Sequence, residues 1–158
     1  MPGERGAGRL SQKNQLTLRK DARALNGVRQ GDVVVAKRHA PVHASGECFQ
    51  AIAVMTEARL EEQTEAIRLH PTLSVAEKET AIINLNGDAH WLGVDAQNRV
   101  VLPQELVQWL HLQRDVVQFS TGSVVLLWHP DEWQRWKAVD AAWQPPQPPE
   151  DVPGVLLL

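Results

Sequence analysis

Apolar and polar positions alternate in short runs in both halves of the chain, and the two sets of runs match. Leu10-Ser11-Gln12-Lys13-Asn14-Gln15-Leu16-Thr17-Leu18 recurs 84 positions later as Val94-Asp95-Ala96-Gln97-Asn98-Arg99-Val100-Val101-Leu102. Each copy predicts a strand, a tight polar turn and a returning strand. A short helix-like stretch follows each, carrying Ala22 and Leu25 in the first copy and Leu106 and Trp109 in the second. Each then closes on a strand led by aspartate, Asp32-Val33-Val34-Val35 and Asp115-Val116-Val117. The second copy reads as one residue shorter, Arg114 standing where the first has Gln30-Gly31. A period this long implies two copies of a small unit that bury their apolar faces against each other. Such a pair offers two similar polar turns, which suits a binding module better than a catalytic pocket.

The stretch between the copies turns helical. Phe49 to Met55 is apolar enough for a strand; Thr56 then offers an N-cap, and Leu60 and Ile67 share one face of a glutamate-rich helix. His70-Pro71 stops it, because proline disfavours helical geometry in the residue before it. Ser74-Val75-Ala76-Glu77 has the pattern of a capping box, with Val75 and Ile82, and Ala76 and Ile83, at heptad spacing behind it. Asn86-Gly87 ends that helix, and Trp91 to Val94 begins the second copy. After the second copy come a turn at Ser120–Ser123, a buried strand at Val124–Trp128 and a last helix opened by His129-Pro130-Asp131, with Trp133, Trp136, Val139 and Trp143 along one side. Strand and helix follow the first copy too, so the duplication extends over the whole half. The divisions expected are 8–85, 86–143 and a proline-rich tail at 144–158. That tail is expected to be extended and mostly disordered, with Val155 to Leu158 able to dock on an apolar groove.

Length and composition narrow the class. A chain of 158 residues can bury a real core as one compact domain or two fused halves. Met1 to Gly8 is polar and glycine-rich, and no apolar run reaches membrane-spanning length. The single cysteine, Cys48, rules out an internal disulfide framework. The expectation is a soluble cytoplasmic protein without a membrane partner. The net charge of −3 is unevenly spread: residues 1–38 carry nine basic side chains against three acidic ones, a net of +6, and the remainder carries −9. A basic first copy on an acidic body reads as a footprint for a polyanion or as a solvated face with scattered charge.

The turns hold the candidate chemistry. Asp95 and Arg99 flank a three-residue turn, where they form an ion pair that pins the hairpin, or a rigid arginine offered to a phosphate or base edge, or both. Asn14 and Asn98 precede the returning strands at equivalent places, where positive φ is often needed and asparagine tolerates it. His39, His43, Glu47 and Cys48 have spacings a metal could use, but without a second compact pair of ligands they read as a polar loop. Neither a glycine-rich phosphate loop nor a nucleophile–base arrangement is present, so no enzyme, cofactor or metal is expected. The tryptophans sit at apolar helix and strand positions and read as core and subunit-contact residues.

The run Leu92-Gly93-Val94-Asp95-Ala96-Gln97-Asn98-Arg99-Val100-Val101-Leu102-Pro103-Gln104-Glu105-Leu106, with the strand ending Leu127-Trp128 and then Glu132-Trp133, resembles the second half of the MraZ family. These are bacterial transcriptional regulators built from two AbrB-like units. The resemblance spans roughly residues 8–140 and is carried in the second half by Asp95-x-x-x-Arg99, Leu102-Pro103 and the Leu-Trp strand. It implies an α+β fold of tandem AbrB-like swapped-hairpin β-barrel units with flanking helices. It also implies a homo-oligomeric ring that binds short direct repeats in a promoter of the division and cell-wall gene cluster, so that double-stranded DNA and further copies of the chain are the partners and the nucleoid is the place of action. In that family the basic residues of the paired turns face the DNA; the DNA-binding residues expected here are Arg9, Lys13, Gln15, Arg19, Lys20 and Arg99, with Asn14, Asp95 and Asn98 stabilising the turns.

The first copy departs from that pattern. Ser11 and Gln15 stand where the motif has aspartate and arginine, while Lys13 keeps a cation in the turn. Glutamine can hydrogen-bond a base or phosphate but brings no charge. The alternatives are a ring-forming interaction protein whose DNA binding has decayed and an AbrB-like antitoxin. In the ring, Trp133 and Trp136 are expected near the contacts between units.

Overall fold

The computed structural model describes residues 5–19 and 31–146. Lys20, the stretch around Ala22 and Leu25, Gln30 and the Val155–Leu158 tail lie outside the described residues. The first copy supplies β1 (Arg5–Arg9), β2 (Gln15–Thr17), β3 (Val33–His39), β4 (Ala51–Thr56) and α1 (Glu57–Arg68). Helix α2 (Val75–Gly87) follows. The second copy supplies β5 (His90–Gly93), β6 (Arg99–Val101), α3 (Gln104–Trp109), β7 (Asp115–Ser120), β8 (Val124–Trp128) and α4 (Pro130–Ala142). The fold is α+β.

The strands of the two copies interleave. The main sheet is antiparallel with the order β1-β7-β8-β4-β3-β5, and β2 pairs with β6 in a separate two-stranded ladder. Thus β1 of the first copy lies on β7 of the second, and β5 of the second lies on β3 of the first. Each hairpin splays after its turn, sending one strand to the main sheet and one to the ladder. The ladder closes over the main sheet, and one core fills the space between, with Leu16, Val34, Ile52, Val100, Leu106, Val116, Val125 and Leu127 almost wholly buried in it.

This arrangement has a pseudo-two-fold axis. It passes through the ladder rung Leu16–Val100, whose members are equivalent by the 84-residue repeat. On the main sheet Val33 faces Gly93 and Asp115 faces Arg9; Arg9 and Gly93 are 84 apart, so Val33 and Asp115 are equivalents, 82 apart. The second copy is therefore shorter by two residues here, and the expected match of Asp32 with Asp115 is corrected by one position. A one-residue slip would carry every side chain to the opposite face of the sheet. With the observed offset, buried Val34 matches buried Val116, and inward Ala36 matches inward Gln118.

The symmetry continues into the helices. Ala36 faces Val54 and its mate Gln118 faces Leu127, which sets β4 and β8 at an offset of 73 and puts the rung Ala53–Leu126 on the axis. At the same offset the N-cap of α1, Thr56, falls on the N-cap of α4, His129. The Thr56 Oγ1 accepts from the Arg59 amide at 3.1 Å and the His129 Nδ1 accepts from that of Asp131 at 3.0 Å. The drop in offset from 82 to 73 is the longer loop of the first copy between β3 and β4.

That loop reaches across to α4. His43 is buried; its Nδ1 accepts from the Ser45 amide at 2.9 Å, so Nε2 is the donor to Asp140 Oδ1 at 2.8 Å. Arg135 lies 3.9 Å over the Phe49 ring and donates to the Cys48 carbonyl at 2.7 Å. The tryptophans of α4 are used within the chain. Trp133 is buried against Phe119 and Trp128, and Trp136 lies edge-on to Phe49 and His43. The core role expected of Trp133 and Trp136 is met within the chain, where the loop and β7–β8 bury Trp133 and leave Trp136 half-buried. By contrast α2, opened by the expected capping box at Ser74 and Glu77, has no buried residue and leaves Val75 and Ile83 exposed. Among the described residues no helix is long and apolar enough to cross a membrane.

Candidate nucleic-acid interface

The two turns are built alike from different residues. Asn14 and Asn98 have φ of 59° and 60°, the left-handed conformation expected of them. In the second copy Asp95 Oδ1 accepts from the amides of Gln97 and Arg99, both at 2.8 Å, and Oδ2 accepts from Arg99 Nε at 2.9 Å. In the first copy Ser11 Oγ takes the same two places, accepting from the amides of Lys13 at 3.2 Å and Gln15 at 3.0 Å. The backbone closures also correspond, Ser11 N–H to Gln15 O at 2.9 Å and Asp95 N–H to Arg99 O at 3.0 Å. The first turn lacks the ion pair of the second and keeps its shape.

Both turns are locked to the ladder. Leu102 N–H donates to Asn14 O at 2.8 Å and, across the axis, Leu18 N–H donates to Asn98 O at 2.9 Å. Asn14 Nδ2 also donates to Gln104 Oε1 at 2.6 Å, at the first turn of α3. The Arg99 amide, and to a lesser extent its guanidinium, hold the Asp95 carboxyl below the usual carboxylate range against the opposing effect of desolvation. The ion pair uses Nε alone, and among the described residues the two Nη groups of Arg99 make no hydrogen bond.

The ladder alternates as a half-buried ribbon should. Leu16 and Val100 point into the core, while Gln15, Thr17, Arg99 and Val101 point away from it. Gln15 stands opposite Val101 and Thr17 opposite Arg99, so the dyad-related Gln15 and Arg99 lie diagonally on one outer face, about 7 Å apart along the strands. Lys13 is exposed at the first turn. The structure thus gathers Lys13, Asn14, Gln15, Asp95, Asn98 and Arg99 around one ribbon.

The remaining expected residues are more scattered. Arg9 ends β1 with its Nε 3.8 Å from Asp115, both side chains well exposed. Arg19 follows the ladder, its amide donating to Gln118 Oε1 at 3.3 Å, and Lys20 is beyond the described residues. Part of the basic excess is spent on acids of the second half. Arg38 donates from Nη1 to Asp88 at 2.6 Å and from its amide to the same carboxylate at 2.7 Å, with Glu105 at 4.0 Å.

One positioning residue escaped the sequence reading. Gln118 is buried in β7, where its Nε2 donates to Thr17 O at 2.9 Å and its Oε1 holds Arg19, anchoring the end of the ladder. Gly8 makes room for it, since a Cβ there would stand 2.8 Å from Gln118 Nε2. The signal was a polar residue at an inward position of an alternating strand. Among the described residues no cluster of three or more His, Cys, Asp or Glu side chains could hold a metal. The loop candidates His43 and Glu47 are bound to Asp140 and Arg135 instead.

An internally duplicated swapped-hairpin arrangement that exposes two dyad-related turns on one ribbon is a fold of the AbrB-like kind. Residues 85–147, the second copy with the helix that follows it, match the family described as "MraZ protein, putative antitoxin-like". The curated proteins offer no match to the chain.

Proposed function

We propose that this protein is a sequence-specific DNA-binding transcriptional regulator that reads duplex DNA with the β2–β6 ribbon and its two turns. The observation that carries this reading is the pair of dyad-related turns flanking an outward face with Gln15 and Arg99. The major groove admits a two-stranded ribbon of this kind. Arginine can bind guanine O6 and N7 together, and Lys13, Arg9, Arg19 and Lys20 supply charge for the backbone. The MraZ match over the second copy supports the same function. In this reading the chain acts at promoter direct repeats on the nucleoid, and copies assemble into a closed homo-oligomeric ring.

A second reading is a ring-forming interaction protein with decayed DNA binding, or an antitoxin. It is favoured by the absence of a guanidinium at Gln15, by the exposed Val75 and Ile83 of α2, and by the antitoxin-like description of the family. Gel-shift on the DNA upstream of the chain's own coding sequence, with a salt titration, separates the readings. A retarded complex that weakens steeply with salt and prefers repeated upstream sites supports the regulator; no complex at low salt supports the alternative.

A further inference from the structure

The pseudo-symmetry places an aromatic core on one side of the axis and a hollow on the other. In the second half Phe119, Trp128, Trp133 and Trp136 fill the space between the sheet and α4. Their equivalents at the offsets of 82 and 73 are Lys37, Met55, Leu60 and Gln63. Smaller and more polar side chains stand where four rings stand across the axis. The space between the sheet and α1 is a groove of about 500 Å³.

The groove has an apolar floor and a basic rim. Ala53, Met55, Val124 and Leu126 line its base; Lys37, His39 and Arg59 stand around it, with the Thr121 and Ser123 hydroxyls at one end. None of its lining residues is acidic. Arg59 holds Glu62 through Nη1 at 3.1 Å, but its buried Nε has no hydrogen-bond partner among the described residues. Burial lowers the Lys37 ammonium from its usual range against the pull of Asp88; burial and then the Lys37 charge lower His39. A cation held partly out of water favours an anionic partner.

We propose that this groove is a binding site for a small organic anion with a planar apolar body of one or two rings. The body occupies the space that tryptophan rings fill across the axis, and the acidic group sits between Lys37 and Arg59. The volume lies in the range of ligand pockets, and few polar groups over an apolar floor is their usual make-up. The site is separate from the ribbon and its turns, so the proposal stands whether or not the chain binds DNA.

The probe is 8-anilinonaphthalene-1-sulfonate, a two-ring sulfonate with a further phenyl group, titrated into the full chain by fluorescence. The expected result is saturation at one molecule per chain. Lys37→Met, which keeps the stem and removes the charge, should weaken binding about tenfold or more, while the uncharged N-phenyl-1-naphthylamine should bind both proteins alike. Gln63→Trp, which copies Trp136 into its equivalent place, should abolish binding of either probe, with an unchanged melting profile as the control. Equal sulfonate binding by the unmodified chain and both variants would overturn the proposal. So would failure to bind at all, or binding that disappears as the chain self-associates, which would give the groove to a second copy.

Discussion

Ser11 and Asp95 are equivalents across the pseudo-two-fold axis, and each accepts hydrogen bonds from the amides two and four residues ahead. One does so with a hydroxyl and the other with a carboxylate. The shape of the turn needs an acceptor at this position; the charge strengthens the amide bonds and holds the arginine. Ser11→Ala should therefore leave two turn amides without their side-chain acceptor and cost about 1 kcal/mol of folding stability. Ser11→Asp combined with Gln15→Arg should preserve stability and rebuild in the first copy the ion pair of the second. Thermal melts of the three proteins check this ordering, and a full loss of stability in the double variant would show that the turns are not interchangeable.

Arg99 is half-exposed and tied by Nε alone, which leaves its outer face for a partner. Arg99→Ala should lower the melting temperature by a few degrees at most, as exposed ion pairs are weak. Its effect on binding to upstream DNA should be far larger, and gel-shift beside a melt measures both. A variant that binds as the original does would make the arginine a turn support and nothing more.

The Asp95 carboxyl is held below its ordinary pKa by the Arg99 amide and guanidinium. A lowered folded-state pKa gives stabilisation that is complete above the unfolded value and disappears as pH falls through the folded one. The contribution of the turn should hold through neutral pH and fail only under acid conditions below the ordinary aspartate range. Carboxyl-carbon NMR titration of Asp95 should give a midpoint below that of a model aspartate, and Arg99→Ala should raise it only part of the way to the ordinary value, because the amide bonds remain. A midpoint unmoved by that change would contradict the assignment.

Helix α4 is clasped by the loop of the first copy through buried His43. Asp140→Ala leaves the His43 Nε2–H without its acceptor and should cost about 1–3 kcal/mol. Trp133→Ala, which empties the aromatic core, should cost about 3–5 kcal/mol. Chemical denaturation gives both values. A Trp133→Ala protein of unchanged stability whose assembled mass falls would make that ring a subunit contact and not a core residue.

Much of the local structure was legible in the sequence. The repeat displayed both hairpins, and the left-handed asparagines, the Thr56 and Ser74 caps and the Asp95–Arg99 pair follow from short-range chemistry. The offset between the copies was not legible. Asp32 and Asp115 look alike in sequence, but register is set by which faces meet the core, and that places Asp115 with Val33. That the tryptophans are core residues follows from their apolar positions, but an apolar helix face does not say which segment covers it. The cover is the loop between β3 and β4, whose residues resemble any polar connection until His43 is seen beneath Trp136 and Trp143. Gln118 shows the same limit: its partners Thr17 and Arg19 are distant in sequence.

The most direct test of the account is the salt dependence of binding to duplex DNA by the unmodified chain, Lys13→Ala and Arg99→Ala, followed by fluorescence anisotropy on the upstream sequence and on an unrelated duplex. The account predicts a steep log–log slope for the unmodified protein. Lys13→Ala should reduce that slope by about 0.9 and weaken both duplexes alike. Arg99→Ala should also erase the preference for the upstream repeats. A chain that binds neither duplex at low salt, or whose affinity and preference survive both substitutions, would contradict the assignment of the paired turns as the reading surface.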